Sequence, residues 1–383
     1  MFTSSLGILL IMSVTIVGSI WLERYRWASF IGSGFLVLLL SAVAVNMGII
    51  PPVSSGAEIY TIVFHDIAPL SIFYVLLSVR LITLKRAGKS MLLLFLTGSL
   101  ATIAGVFMAL QLPGAELLMG DAPHALAGMF TATYIGGGMN FNAVALHYGI
   151  SEQGTLFVAA TVADNILSAV WVMATLVLPR WLNKKLPIAK EDMGNNHSEA
   201  EAEIQTDMEY TIQLKQLFIL LLAGLGSMAL ADFLNSLLPA IPSILWLTTL
   251  ALVLAQLTYF HKMEAHTLLG LAGIYVLLSA IGASCDIIAL WQNKEVAVFL
   301  LMFVVCIVMV HAIILFTTGY LLRKDWDYTA IASQANIGGT VTAMALAKSL
   351  GRNDLVLPAI LMGSLGNALG TYAGIAVATL LTP

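Results

Sequence analysis

The chain alternates long apolar runs with short polar turns. Ten runs, at 4–22, 28–49, 58–80, 90–111, 155–180, 211–231, 243–260, 267–290, 295–322 and 355–381, match the roughly 20 apolar residues that a membrane-crossing helix needs. Two more apolar segments, 123–150 and 328–350, are interrupted. The first contains Tyr134-Ile-Gly-Gly-Gly-Met-Asn-Phe-Asn142 and the second Asn336-Ile-Gly-Gly-Thr-Val-Thr342. Consecutive glycines loosen a helix and free backbone groups. Inside a bilayer such groups persist only where protein or a water-filled cavity covers them. The N-terminal run has no basic residue before it and no small-residue cleavage site, so it reads as a first spanning helix rather than a removed signal.

Basic residues discriminate between topologies, because short cytoplasmic loops are enriched in Lys and Arg. With both interrupted segments crossing, there are twelve spans, two of them discontinuous, and the 17 Lys and Arg divide almost evenly. With both segments as re-entrant hairpins there are ten spans, and every Lys and Arg except Lys294 falls on one side. The expectation is therefore ten spans plus two hairpins, with both termini outside.

Sliding the chain on itself by 202 residues pairs the interruptions. Thr131 meets Ser333, Ile135-Gly136-Gly137 meets Ile337-Gly338-Gly339, Asn140 meets Thr342, Gly149 meets Gly351, Glu152 meets Asp354, and Asn165 meets Asn367. A shift of 201 pairs Tyr74–Ser78 with Tyr275–Ser279 and His65 with His266. The halves are thus a first repeat, 1–180, and a second, 211–383, each with five spans and one hairpin. An odd span count starts the second repeat on the opposite side, so the repeats are inverted, a plan common in secondary transporters. The stretch between them, 181–210, holds Lys184, Lys185 and Lys190 followed by seven acids, and reads as a polar cytoplasmic linker.

Composition agrees with an all-α polytopic membrane protein: 59% of residues are hydrophobic and 10% charged, against about 25% charged in soluble domains. The net charge of −4 is small, and no basic patch with interleaved aromatics suggests nucleic acid. Cys285 and Cys306 match no metal spacing. No HExxH, phosphate-binding or GxSxG motif is present, so the chain is not read as an enzyme and no cofactor is expected beyond Na+ or H+ as a coupling ion.

The strongest candidate chemistry sits at the two glycine breaks. Helix N-termini exposed there attract anions, and freed carbonyls suit cations. Polar side chains cluster with them: Thr131, Thr133, Asn140 and Asn142 beside Gly136-Gly137, and Ser333, Gln334, Asn336, Thr340 and Thr342 beside Gly338-Gly339. A second candidate is Asp164-Asn165 with Thr161, matched by Ser364 and Asn367. An ionisable residue within a span is costly and marks function by default, and the set could hold Na+ through oxygen ligands or exchange a proton. His65-Asp66, four and three residues before Pro69, reads as a proton relay, a support for a cation, or a structural pair near the outer interface. His311 reads as a packing residue, and Asp286 as interfacial.

The stretches Gly128–Ala145 and Ala335–Ala343 resemble the YjcL-like family of bacterial membrane proteins of unknown function. That family is similar to the group of cation–proton antiporters and anion transporters that includes sodium–glutamate, citrate and bile-acid symporters. The resemblance implies that Gly136-Gly137 and Gly338-Gly339 take the place of hairpin Gly-Gly motifs. It also implies that Asp164-Asn165 stands loosely for the antiporters' Asn-Asp pair, in reversed order. It further implies a core body holding the breaks, and a scaffold of the first two spans of each half that mediates dimerisation in the bacterial inner membrane. The expectation is Na+- or H+-coupled symport of a small organic anion or zwitterion. A monovalent cation–proton antiporter and a non-transporting receptor or scaffold remain alternatives.

Overall fold

The computed structural model describes residues 2–25, 33–79, 87–115, 119, 122–188, 214–239, 241–261, 263, 265–284 and 294–382. Most of the linker and the Cys285-Asp286 pair lie outside them. No strand occurs among the described residues. In chain order the principal helices are α1 (Ser5–Leu22), α2 (Ser33–Asn46), α3 (Glu58–Leu76), α4 (Lys89–Ala109), α5 (Pro123–Gly136), α6 (Gly138–His147) and α7 (Gly154–Lys185). They continue as α8 (Leu214–Leu237), α9 (Ser243–Ala255), α10 (Ala265–Ala283), α11 (Lys294–Leu321), α12 (Trp326–Ile337), α13 (Gly339–Ser349) and α14 (Val356–Leu381). Eight of them, α1, α3, α4, α7, α8, α10, α11 and α14, are long and apolar enough to cross a bilayer. Two other expected spans appear as the shorter α2 and α9. Apolar side chains stand outward at helical spacing, such as Leu6, Leu10, Val14 and Val17 on α1 and Leu214, Phe218 and Leu222 on α8. Hydrocarbon tolerates such a surface; water would not.

The chain divides into two compact units, each drawn from both halves. The first comprises Met1–Ser78, Ala145–Asn165 and Ile212–Leu300. Here α10 packs against α2 and α3, and α8 packs on α9. Three buried hydroxyls tie α1, α2 and α10 together: Thr15 Oγ1 lies 3.0 Å from Ser41 Oγ and 3.3 Å from Ser279 Oγ, and the two serines are 2.8 Å apart. Tyr74 donates to the Leu220 carbonyl at 3.1 Å, binding α3 to α8. The first unit holds three of these helices from each half, with α3 and α10 packed into it. The reason is local: Gly270 and Gly273 let Val75 and Ser71 of α3 press on α10, and Gly282, on a different face, admits the Leu38 carbonyl of α2. Within α3 the turn Val63–Ile67 is π-helical. Pro69 has no N–H for the His65 carbonyl, and the wider register accommodates that loss.

The second unit comprises Val79–Val144, Ile166–Thr211 and Leu301–Pro383, and holds both glycine breaks. Its core gathers Met91, Leu94 and Phe95 of α4, Leu315 of α11, Tyr328 and Ile331 of α12, Leu346 of α13 and Met362 of α14. The most intimate packing joins α5 to α14. Gly128, Ala132 and Gly136 on one helix run antiparallel to Gly374, Gly370 and Gly366 on the other, each set spaced by four residues. The backbones approach so closely that a Cβ added at Gly370 would lie 2.8 Å from the Ala132 carbonyl oxygen, and one at Gly374 2.6 Å from that of Gly128. Small residues at this spacing replace the hydrophobic drive that is lost between helices in lipid.

Gly366→Val is therefore expected to wedge α14 from the Ile135 carbonyl and to lower unfolding stability by about 1–3 kcal/mol, the usual cost of overpacking. Thermal unfolding of the purified protein in lipid nanodiscs measures this; an unchanged midpoint would contradict the packing described.

Candidate functional site

Both breaks form as glycines adopt backbone angles that side chains resist. Gly137, between α5 and α6, has φ +82°, and Gly339, at the start of α13, has φ +72°. Gly149 (φ +68°) and Gly351 (φ +72°) follow at the same 202-residue offset, so the local conformations recur with the sequence match. The two breaks meet: a Cβ on Gly137 would lie 3.8 Å from Gly339 Cα, and one on Gly339 3.9 Å from Gly137 Cα.

The ends of the second broken element also meet. Asp325 caps α12 by accepting the Tyr328 N–H at 2.8 Å. Arg352, just past α13, donates to both Asp325 oxygens at 2.9 Å and to Asp354 at 2.7 Å. The chain thus leaves near the point where it entered, and α12–α13 is a hairpin with Gly338-Gly339 at its tip. Burial disfavours the Arg352 charge, yet the hydrogen bonds and negative charges of Asp354 and Asp325 outweigh it and hold the pKa above its ordinary value.

The first break is closed on itself. Thr131 donates to the Ala127 carbonyl at 2.8 Å, and the Thr133 carbonyl accepts the Gly137 N–H at 2.7 Å. Asn140 donates to the Gly136 carbonyl at 2.8 Å, while its oxygen accepts from the Thr371 N–H at 3.0 Å and hydroxyl at 2.7 Å. Asn142 is also buried. Asn140 thereby clamps the break to α14.

The second break is wired to a polar network centred on His311 of α11, which is fully buried. The Gly98 carbonyl can only accept, so Nδ1, 3.0 Å away, carries the proton, and Thr102 Oγ1 lies 3.1 Å from the same nitrogen. Nε2 therefore accepts from the Ser333 hydroxyl at 3.0 Å, and Trp171 donates its indole N–H to the same Ser333 oxygen at 3.1 Å. Thr102 reaches the Tyr134 carbonyl at 3.2 Å. Ser99 donates to the Phe95 carbonyl at 3.0 Å and accepts from Asn336 at 2.9 Å. Gln334 accepts from Thr175 at 3.3 Å. Gly338 leaves room: a Cβ there would collide with the Gln334 amide nitrogen and Thr342 Oγ1. Thr340 and Thr342 are half-buried at the start of α13.

The expected ion-coupling residues are divided. Thr161, Asp164 and Asn165 are half-buried in the first unit's part of α7, with Thr161 donating to the Phe157 carbonyl at 2.8 Å. Ser364 and Asn367 are half-buried on α14 in the second unit. His65 and Asp66 face a cavity of about 520 Å³ within the first unit, together with His147, Glu152 and Asp232. No group of three or more His, Cys, Asp or Glu among the described residues is arranged to hold a metal ion.

Sequence reasoning passed over Trp171, Thr175, Ser99 and Thr102, and gave His311 only a packing role. Trp171 and Thr175 are four apart and share one face of α7, a signal available beforehand. The Asp325–Arg352 pair brackets the broken segment with opposite charges, which also marks a hairpin.

Arg352→Gln should remove the cation paired with Asp325, whose side chain is 1% exposed, and cost about 3–5 kcal/mol, as when one partner of a buried pair is removed. The double variant Arg352→Gln with Asp325→Asn should recover much of that loss. Equal stability of the single and double variants would contradict the pairing.

The family described as "Protein of unknown function (DUF819)" matches residues 8–383, and the chain belongs to it. The chain is also similar to "Uncharacterized membrane protein YjcL" of Bacillus subtilis (strain 168), at 28% identity over 373 residues, 92% of this chain and 90% of that protein. With its apolar helices, this makes it a multi-pass membrane protein.

Proposed function

We propose that this family member is a secondary active transporter that moves a small organic anion or zwitterion by alternating access, driven by Na+ or H+. The observation that carries this reading is the meeting of the two glycine breaks, Gly137 against Gly339, inside one compact unit. Broken helices leave polar backbone where a membrane protein can bind a solute, and paired breaks in matched repeats are the usual address of such sites. The matched backbone angles at 137 and 339, and at 149 and 351, support a duplicated element. The closed mouth of α12–α13 supports a re-entrant hairpin, and so the arrangement of ten spans with inverted repeats and both termini outside.

In this reading the second unit is the transport core and the first is the scaffold, through which two copies pair in the bacterial inner membrane. Thr161, Asp164 and Asn165, neighbours on α7 within the first unit, supply oxygen ligands for the coupling ion. Solute and ion together must favour the moving state more than either does alone. Neither a receptor nor a rigid scaffold needs two glycine tips in contact.

Reconstituted protein is expected to accumulate at least one labelled organic acid or amino acid under an inward Na+ or H+ gradient, and to lose it when an ionophore collapses the gradient. Absence of accumulation across such a panel would sink the symport reading. Internal pH change on adding Na+ or K+ without solute would instead establish antiport. Asp164→Asn should abolish the ion dependence while leaving the protein's melting temperature unchanged. Gly339→Leu, which places a side chain at positive φ against Gly137, should reduce flux at least tenfold.

A further inference from the structure

The two breaks match in sequence but not in how their polar groups are satisfied. At the first, Thr131 and Asn140 are engaged by their own helix and by α14. At the second, three side-chain atoms have no hydrogen-bond partner: Gln334 Nε2, Asn336 Oδ1 and Thr340 Oγ1. Gln334 and Asn336 are both 0% exposed. A buried polar atom without a partner costs about 1–3 kcal/mol and calls for an explanation. The residues at the corresponding first-half positions are Ala132, Tyr134 and Gly138, so the asymmetry is written into the sequence.

Gln334 Nε2 reaches the break from the end of α12, while Thr340 Oγ1 lies in the first turn of α13. The Gln334 amide nitrogen lies over Gly338, beside Thr342 Oγ1, where a Cβ would have no room. Gly338 is the N-cap of α13, a helix of 11 residues. The first-turn N–H groups of that helix have no intrahelical acceptor, and the helix dipole adds partial positive charge. Val341 in the same turn is 71% exposed, so the turn is reachable from outside the protein. The unpartnered Gln334 Nε2 and the first-turn N–H groups are donors, and the ligand complementary to them is an acceptor-only oxyanion.

We propose that the second break alone holds the carboxylate of the solute, with the Gln334 amide N–H and the first turn of α13 as its donors, while the first break is a closed structural joint. This deepens the transport reading, on which it rests for the identity of the ligand as cargo.

Equilibrium binding tests it without requiring flux. The purified full-length protein is melted with sodium acetate, succinate or L-glutamate, and with acetamide, succinamide or L-glutamine at matched sodium chloride. At least one carboxylate, and none of the amides, is expected to raise the wild-type melting temperature. Gln334→Ala recreates the residue found at the matching first-half position and should weaken that carboxylate's apparent affinity tenfold or more. Gln334→Glu, of the same shape but carrying like charge, should remove the shift entirely. The unliganded melting temperatures of both variants report whether they fold. No shift with any carboxylate, equal shifts with the amides, or full shifts in the folded variants would overturn the proposal. Stabilisation by sodium chloride alone that Gln334→Ala abolishes would also overturn it, because the amide oxygen rather than the N–H would then face the break. Carboxylate binding without gradient-driven uptake would leave this site standing and remove the transport reading.

Discussion

An interrupted helix in an apolar medium must have its backbone covered, and the second unit is organised around that constraint. α14 provides the cover. Its glycine face, Gly366, Gly370 and Gly374, lies flush on α5, and Asn140 reaches across to the Thr371 N–H and hydroxyl. Gly363 performs the same service for the start of α13, pressing on the Thr340 backbone. This apolar span is therefore the floor on which both breaks rest.

Much of this was legible in the sequence. Glycine pairs at one offset located both breaks, and glycines 149 and 351 at the same offset adopt the same left-handed turn. Apolar run lengths located the long helices. Less legible was how polar side chains divide their work. Thr131 and Asn140 looked like solute ligands because they are polar and close to the break, yet their hydrogen bonds close on the protein itself. Ser333 likewise serves His311 and Trp171. Whether a hydroxyl faces a ligand or a neighbouring carbonyl depends on which helix packs beside it, and spacing along one chain does not carry that information.

The division into compact units shows the same limit. Sequence similarity runs along the halves, whereas packing gathers corresponding helices from both halves into each unit. The first unit takes α1, α2 and α3 with α8, α9 and α10, and hydroxyl contacts such as Thr15–Ser279 join residues far apart in the chain. Burial of small-residue faces, rather than order along the chain, sets which helices are partners.

The π-helical turn in α3 has a consequence for the cavity beside it. One residue more than an α-turn holds is packed between Val63 and Ile67, which shifts the angular phase of the helix by about 100° at that point, one residue's rotation at 3.6 residues per turn. His65 and Asp66 sit in the phase slip itself, so the direction in which they point is set by Pro69 rather than by the remainder of α3. A chain with an ordinary residue at 69 could wind regularly, and the same histidine and aspartate would then be carried to a different azimuth, away from His147, Glu152 and Asp232. The imino acid therefore acts as a rotational index for a charged wall it does not itself charge.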